Sequence, residues 1–100
     1  MNKTPVVYVV NTGGHDVEGA KVFGELRSLT EDKVNVFAVD RITTEMKAKL
    51  KDFNADRDYL LLSGAIILNL IAMKTVRGHE RSVKVLIYNF HLSRYIVRNI

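Results

Sequence analysis

Two short glycine-bearing segments contain the residues whose types and spacing could support ligand chemistry. The first comprises Thr12, Gly13, Gly14, His15 and Asp16, and the second comprises Ser63 and Gly64. Each segment directly follows an apolar run that is typical of a buried strand. Glycines allow the backbone to turn sharply and to expose N–H groups, which favour anions where a helix begins. These segments therefore predict a site for a phosphate-bearing ligand.

The chain lacks the two best-known phosphate-binding patterns. It contains neither the six-residue dinucleotide fingerprint nor a P-loop with its lysine. We therefore expect no ATP or NAD bound in the usual manner, and no cofactor. The structural alternative is a tight turn followed by a helix that Asp16 caps.

The neighbouring His15 and Asp16 could supply ligand donors, or a catalytic base with the carboxylate that orients it. A hydrolytic site would also need a nucleophile or metal ligands, but the chain has no cysteine. The other histidines, His79 and His91, are predicted away from this site. The sequence thus favours binding without catalysis and predicts no metal site. A nuclease or phosphodiesterase that uses His15 is the enzymatic alternative.

The order of the predicted elements decides whether the two glycine segments meet. Apolar runs predict strands at residues 6–10, 34–39, 58–62, 83–90 and 94–100. Helical spacing and caps predict helices at residues 16–29, from about Ile42 to near Asn54, and from Ala65 to about Arg77. We therefore predict a single domain over residues 1–100. Its fold would be α/β, a small three-layer Rossmann-like sandwich with the order β-α-β-α-β-α-β-β.

Right-handed crossovers between parallel strands give the sheet order 2-1-3-4-5, with strand 5 antiparallel. In such a sheet, strands one and three are neighbours, and the direction of the crossovers reverses between them. Ligands bind beyond the C-terminal ends of these strands. The two glycine segments are predicted to meet there.

The third predicted helix is apolar around its whole circumference, with Asn69 as its polar exception. One side would pack on the sheet, and the other would meet water in a monomer. We therefore expect a homo-oligomer, a dimer or a higher assembly. Asn69 would either fix that interface by hydrogen bonding or contact the ligand.

Positive charge is concentrated in the second part of the chain. Residues 59–100 contain six Lys/Arg and one Asp/Glu, whereas residues 1–58 contain nine Lys/Arg and ten Asp/Glu. The basic range 59–100 would suit an anionic partner, or it forms a solvated basic surface without a specific partner. Arg94 and Arg98 could neutralise the phosphate of a ligand bound to a neighbouring subunit, or contact the acidic surface of another protein. Together with nearby aromatic residues, these arginines form a combination that is typical of nucleic-acid-binding surfaces. Aromatic residues also pack across strands in ordinary sheets, and we do not favour a nucleic acid as the partner.

The compartment is predicted from features that the chain lacks. A chain without cysteine fits a reducing compartment, and the N-terminus has no signal-peptide pattern. The longest apolar stretch is shorter than the roughly 20 residues that span a bilayer. We therefore expect a cytoplasmic protein with no membrane partner.

Several motifs together resemble a family of small uncharacterised proteins from tailed bacteriophages. They are VVNTGGHD at 9–16, FG at 23–24, YLLLSG at 59–64 with Asn69, LIY at 86–88 and RYIVR at 94–98. The resemblance spans nearly the whole chain and brings no established activity. It implies a phage protein that acts in the cytoplasm of the infected bacterial host.

Phage proteins of this size are often inhibitors of host processes or of host defence. One recurrent kind is an oligomeric sponge that sequesters a nucleotide immune signal, and a Rossmann-like crevice suits that role. The resemblance thus implies an anti-defence protein that binds a nucleotide-like small molecule. A host-protein-binding inhibitor that acts through the basic C-terminal hairpin is the alternative.

Overall fold

The structure, a computed structural model, describes residues 4–14, 16–77 and 82–100. These residues form an α/β fold around one sheet. The strands are β1 Val6–Val9, β2 Glu25–Ser28, β3 Tyr59–Leu61, β4 Lys84–Asn89 and β5 Arg94–Asn99. The helices are a short 3-10 helix, Glu18–Val22, and two α-helices, α1 Val39–Lys49 and α2 Ile66–Arg77. Gly78 and His79, predicted at the end of the third helix and beyond it, lie outside the described residues.

The sheet has the order β2-β1-β3-β4-β5. Neighbouring strands run parallel, except that β4 and β5 form an antiparallel hairpin. The predicted order and the predicted antiparallel fifth strand are therefore confirmed. The apolar run of β1 is buried on both faces because successive side chains alternate: Tyr8 faces one core cluster, and Val7 and Val9 face the other.

Both α-helices cover the same face of the sheet. Met46 of α1 and Leu68 of α2 are buried in the core cluster that contains Tyr8. The opposite face is covered by the 3-10 helix, whose Ala20 is buried against Val7 and Val9. A short 3-10 helix stands in place of the first predicted α-helix, so the described residues form two α-helices and not the predicted three.

This layering locates the switch point of the sheet. The connection from β1 to β2 crosses one face, and the connections through α1 and α2 cross the other. The crossover direction therefore reverses between β1 and β3, as in doubly wound sheets. A crevice is expected at the C-terminal ends of these two strands.

The predicted helix at residues 16–29 is wrong, because β2 occupies its second half. Gly24 approaches β1 so closely that a Cβ atom there would lie 2.3 Å from the carbonyl oxygen of Pro5. The N–H of Glu25 donates to that same oxygen at 3.0 Å and starts the β1–β2 pairing. Leu26 of β2 and Leu29, which directly follows the strand, pack in core clusters on opposite faces of the sheet, as residues three apart in an extended chain do. Their spacing had indicated one helical face.

The predicted strand at residues 34–39 is also wrong. Asn35 forms a turn there: its Oδ1 accepts the N–H of Phe37 at 3.0 Å, and its carbonyl accepts the N–H of Ala38 at 3.1 Å. Phe37 is 90 % exposed, and α1 begins at Val39. The edge of the sheet beside β1 is taken by β2, so this run has no strand to pair with. The helix that follows ends at Lys49 and not near Asn54.

Candidate functional site

The exits of β1 and β3 contact each other directly. The backbone N–H of Asn11 donates to Ser63 Oγ at 3.3 Å, and Ser63 Oγ donates to the carbonyl of Asn11 at 2.6 Å. The prediction that these two strand exits meet is therefore confirmed. Ser63 acts here as a bridge between the two segments.

Asn11 also ties the exit of β2 to the same place. It is only 4 % exposed, and its Nδ2 donates to Thr30 Oγ1 at 2.8 Å and to the carbonyl of Glu31 at 2.7 Å. The hydroxyl of Thr30 donates to the carbonyl of Val10 at 2.7 Å. Three strand exits are thus joined by buried and partly buried hydrogen bonds.

The glycines at these exits adopt backbone conformations that other residues rarely take. Gly13, Gly14 and Gly64 have φ values of 59°, 78° and 78°. A Cβ atom on Gly64 would lie 2.8 Å from Cβ of Asn11. The absence of a side chain at Gly64 therefore allows the third exit to pack on the first.

Asn69 fixes the turn at the end of β3. Its Oδ1 accepts the N–H of Ser63 at 2.9 Å, and its Nδ2 donates to the carbonyls of Ser63 at 3.0 Å and Ala65 at 2.9 Å. The sequence left an interface role and a ligand contact open for Asn69. The structure adds a third role, since this amide supports the loop that presents Ser63 and Gly64.

The remaining residues of the first glycine segment have different partners. Asp16 Oδ1 accepts the N–H of Glu18, two residues further on, at 2.9 Å and so closes a turn before the short 3-10 helix. The N-cap of that helix is Val17, and no side chain of the described residues caps it, so the predicted cap at Asp16 is not formed. Thr12 Oγ1 donates to Asp32 Oδ1. His15, on which the enzymatic alternative depends, lies outside the described residues.

A cleft of about 630 Å³ lies at the three joined exits. Its lining residues are Asn11, Gly13, Asp32, Lys33, Val34, Asn35, Val36, Gly64, Ala65 and Leu68. Of the residues that the sequence predicted as ligand-binding, Gly13 and Gly64 line it directly. Thr12 and Ser63 contact lining residues through hydrogen bonds.

Among the described residues that line the cleft, Asp32 and Lys33 are the charged ones, and the sequence did not indicate them. With a second strand at 34–39, they would have preceded that strand and lain at the opposite end of the sheet. Because β2 ends at Ser28, they follow its C-terminal end and reach the cleft. A correct position for the second strand would have indicated them.

Arg94 and Arg98 do not reach this cleft within the same chain. They belong to β5, which is separated from β3 by β4. Both are exposed, and Arg98 Nη1 donates to the carbonyl of Val97 at 2.7 Å. Any contribution of these arginines to the cleft would have to come from another copy of the chain.

The described residues contain neither a metal-binding group of side chains nor a membrane-spanning helix. Among them, no three His, Asp or Glu side chains are grouped so that they could hold a metal ion. Within the same ranges, neither α-helix has the length and apolar character needed to cross a membrane.

Comparisons with known proteins identify the family. No curated protein and no solved structure matches the chain. The family model described as Phage Pam3 gp32-like protein matches residues 5–100, which include every strand and helix described above. The resemblance to a family of small phage proteins is thereby confirmed. The chain belongs to the family of Phage Pam3 gp32-like proteins.

Proposed function

We propose that this phage protein binds a phosphate-bearing, nucleotide-like ligand in the cleft at the exits of β1, β2 and β3, without changing it chemically. The observation that carries the proposal is the position of the cleft at the switch point of a 2-1-3-4-5 sheet. Ligands of doubly wound sheets bind at that place, and this is the sense in which we regard the fold as Rossmann-like. The volume of about 630 Å³ lies within the usual range for small-molecule sites.

The lining of the cleft combines apolar and polar groups. Its apolar residues Val34, Val36 and the buried Leu68 suit the face of a planar base. Its polar groups include Lys33 and the glycine turn at Gly13. A phosphate beside these groups would meet an ammonium group and backbone N–H groups.

The N-terminus of α2 also favours a phosphate in the cleft. Ala65 lines the cleft and immediately precedes the first residue of this twelve-residue helix. The N-terminus of a helix carries partial positive charge and favours an anion. The five-residue helix after the first glycine segment is too short to provide this effect, so we assign it to α2.

Several polar side chains near the cleft are occupied in shaping it. The amide of Asn69 and the hydroxyl of Ser63 donate to backbone carbonyls, and the amide of Asn11 donates to Thr30 and Glu31. Groups held in this way suit a rigid binding site more than proton transfer. We therefore favour sequestration of a nucleotide immune signal of the host over its hydrolysis.

The outer face of α2 supports self-association. Ile66 is 78 % exposed and Leu70 is 60 % exposed, one helical turn apart on this face. We propose that a second copy covers these side chains, as in an oligomeric sponge. Native mass spectrometry of protein purified from infected cells would report the number of subunits and any retained nucleotide together.

The Lys33→Glu substitution tests the cleft. We expect it to weaken binding of a phosphate-bearing ligand about tenfold or more, because it replaces a charge-assisted contact by repulsion. Isothermal titration calorimetry against cyclic dinucleotides, cyclic ADP-ribose isomers and mononucleotides measures the effect. The control is Lys47→Glu, which makes the same charge change on the exposed side of α1. The proposal fails if no member of the panel binds the wild type, or if both variants bind equally.

The basic hairpin supports a second candidate, an inhibitor that binds a host protein. Residues 82–100 contain Lys84, Arg94 and Arg98 and no acidic residue. A groove of about 380 Å³ lies on the hairpin, lined by Ile87, Tyr88, Asn89, Phe90, His91, Ile96 and Arg98. Phe90 is 83 % exposed and packs edge-on against Tyr88, with ring centroids 5.0 Å apart. An acidic protein surface with an apolar anchor would fit this groove.

Recovery of a partner from a lysate of the bacterial host tests this second candidate. The immobilised wild type is expected to retain one host protein in stoichiometric amount, and Arg94→Glu/Arg98→Glu is expected to lose it. The control is Lys47→Glu/Lys51→Glu, which reverses two exposed charges elsewhere. Equal recovery by all three proteins, or no stoichiometric partner, would exclude this role for the hairpin.

A further inference from the structure

We propose that Asp32 recognises the 2′-hydroxyl group of a ribose, so that the cleft selects ribonucleotides over deoxyribonucleotides. This inference rests on the function proposed above and names the ligand class more narrowly. It is carried by the juxtaposition of Asp32, Thr12 and Lys33 at the joined exits of β1 and β2.

The position of Asp32 is the first argument. It follows β2, the neighbour of β1, and it lines the cleft together with Gly13 from the turn after β1. In doubly wound nucleotide-binding sheets, an acidic residue about 20 positions beyond the glycine turn accepts a hydrogen bond from the ribose 2′-hydroxyl. Asp32 has this relation to Gly13 in sequence and in space.

The chemistry of a carboxylate is the second argument. An ionised carboxylate can only accept hydrogen bonds, so it attracts hydroxyl donors and repels phosphate oxygens. The neighbouring Lys33 has the opposite preference. A ligand that satisfies both must present hydroxyl groups near Asp32 and a phosphate near Lys33, and a ribonucleotide has this arrangement.

The contact with Thr12 is the third argument. The hydroxyl of Thr12 donates to Oδ1 of Asp32 and so orients the carboxylate. Among the residues that the structure describes, no donor is hydrogen-bonded to the second oxygen, Oδ2, and the side chain is exposed at the cleft. One carboxylate oxygen is thus hydrogen-bonded within the protein, and the other is available to a sugar hydroxyl bound in the cleft.

The test compares matched nucleotides on matched variants by isothermal titration calorimetry. The probes are ADP and 2′-deoxy-ADP, and cyclic di-AMP and its 2′-deoxy counterpart. The variants are Asp32→Asn and the control Asp52→Asn, which removes the same charge outside the cleft. EDTA is present throughout, so that a bridging divalent cation cannot stand in for the sugar contact. Thermal unfolding confirms that each variant is folded.

We expect the wild type and Asp52→Asn to bind one ribonucleotide about tenfold or more tightly than its deoxy analogue, as is typical of a hydrogen bond to a charged group. Asp32→Asn is expected to lose this preference. Equal binding of the two sugars by the wild type, or a preference that persists in Asp32→Asn, would overturn the inference while the proposed function stands. If none of the four probes binds, the inference is overturned, and the proposed function is overturned as well when the panel used for Lys33→Glu also gives no binding.

Discussion

The Asp58→Ala substitution is expected to lower the free energy of unfolding by about 2–4 kcal/mol, because several donors would lose a buried acceptor. Asp58 is fully buried just before β3. Its carboxylate accepts the N–H groups of Val6 at 3.0 Å and Asn54 at 2.9 Å, and both Nε and Nη2 of Arg57. It therefore joins the start of β1 to the loop that leads into β3.

Urea unfolding at neutral pH measures this loss. The control is Asp56→Ala, two residues away, whose exposed side chain should contribute within about 0.5 kcal/mol. An equal effect of the two substitutions would show that the buried carboxylate does not stabilise the fold.

The same carboxylate makes stability depend on pH. Burial by itself would raise the pKa of Asp58, but the hydrogen bonds from Arg57, Asn54 and Val6 outweigh it and hold the pKa below its ordinary value of 3.8. The ionised form thus stabilises the folded state fully above pH 3.8, and this stabilisation is lost as pH falls through the lower folded pKa. Asp58→Asn should be less stable than the wild type at neutral pH, and the difference should shrink below pH 3.8. A constant difference would contradict this assignment.

The Gly24→Ala substitution is expected to destabilise the protein by about 1–3 kcal/mol or more, because the new methyl group would collide with backbone. The Cβ atom of an alanine at position 24 would lie 2.3 Å from the carbonyl oxygen and 2.7 Å from the carbonyl carbon of Pro5. Relief of that contact would separate β2 from β1 and weaken the 3.0 Å hydrogen bond between Glu25 and Pro5. Hydrogen exchange at the Glu25 amide should therefore accelerate together with the loss measured by urea unfolding.

Gly19→Ala is the matched control for this effect. A Cβ there would lie 3.7 Å from the ring of Tyr95, which is an ordinary van der Waals contact. We expect little change in stability for Gly19→Ala. Comparable losses in both variants would point to glycine flexibility in general and not to the close approach of β2 to β1.

The sequence predicted those elements whose burial pattern is unambiguous. The unbroken apolar runs of β1 and β3 and the hairpin of β4 and β5 could be identified without knowledge of the fold. The helical spacing of Ile42, Met46 and Leu50 correctly placed the buried face of α1. In each case the local pattern and the tertiary environment favour the same structure.

The region from residue 16 to residue 39 was predicted wrongly because its local pattern fits two structures. Leu26 and Leu29 are spaced as on a helix, and the run from Val34 to Val39 has the composition of a strand. Only one of these two segments can pair with the edge of β1. Because Gly24 approaches Pro5 closely, the segment that follows Gly24 occupies this edge as β2. That contact between distant residues has no signature in the local sequence.

The same error limited what could be predicted of the site. The glycines at both exits were recognised because they directly follow strands that were placed correctly. Asp32 and Lys33 were not recognised, since their approach to the cleft depends on where β2 ends. The internal roles of Asn11 and Asn69 could be seen only once the exits were in contact.

The hydrogen bonds of the buried Asn11 affect the energetics of binding. They link the exits of β1, β2 and β3 when the sheet itself forms, so the walls of the cleft are preorganised. The conformational entropy of ordering these loops is lost during folding and not during association. The proposed nucleotide ligand would therefore bind without the entropic cost of ordering these loops, which leaves more of its contact energy as affinity.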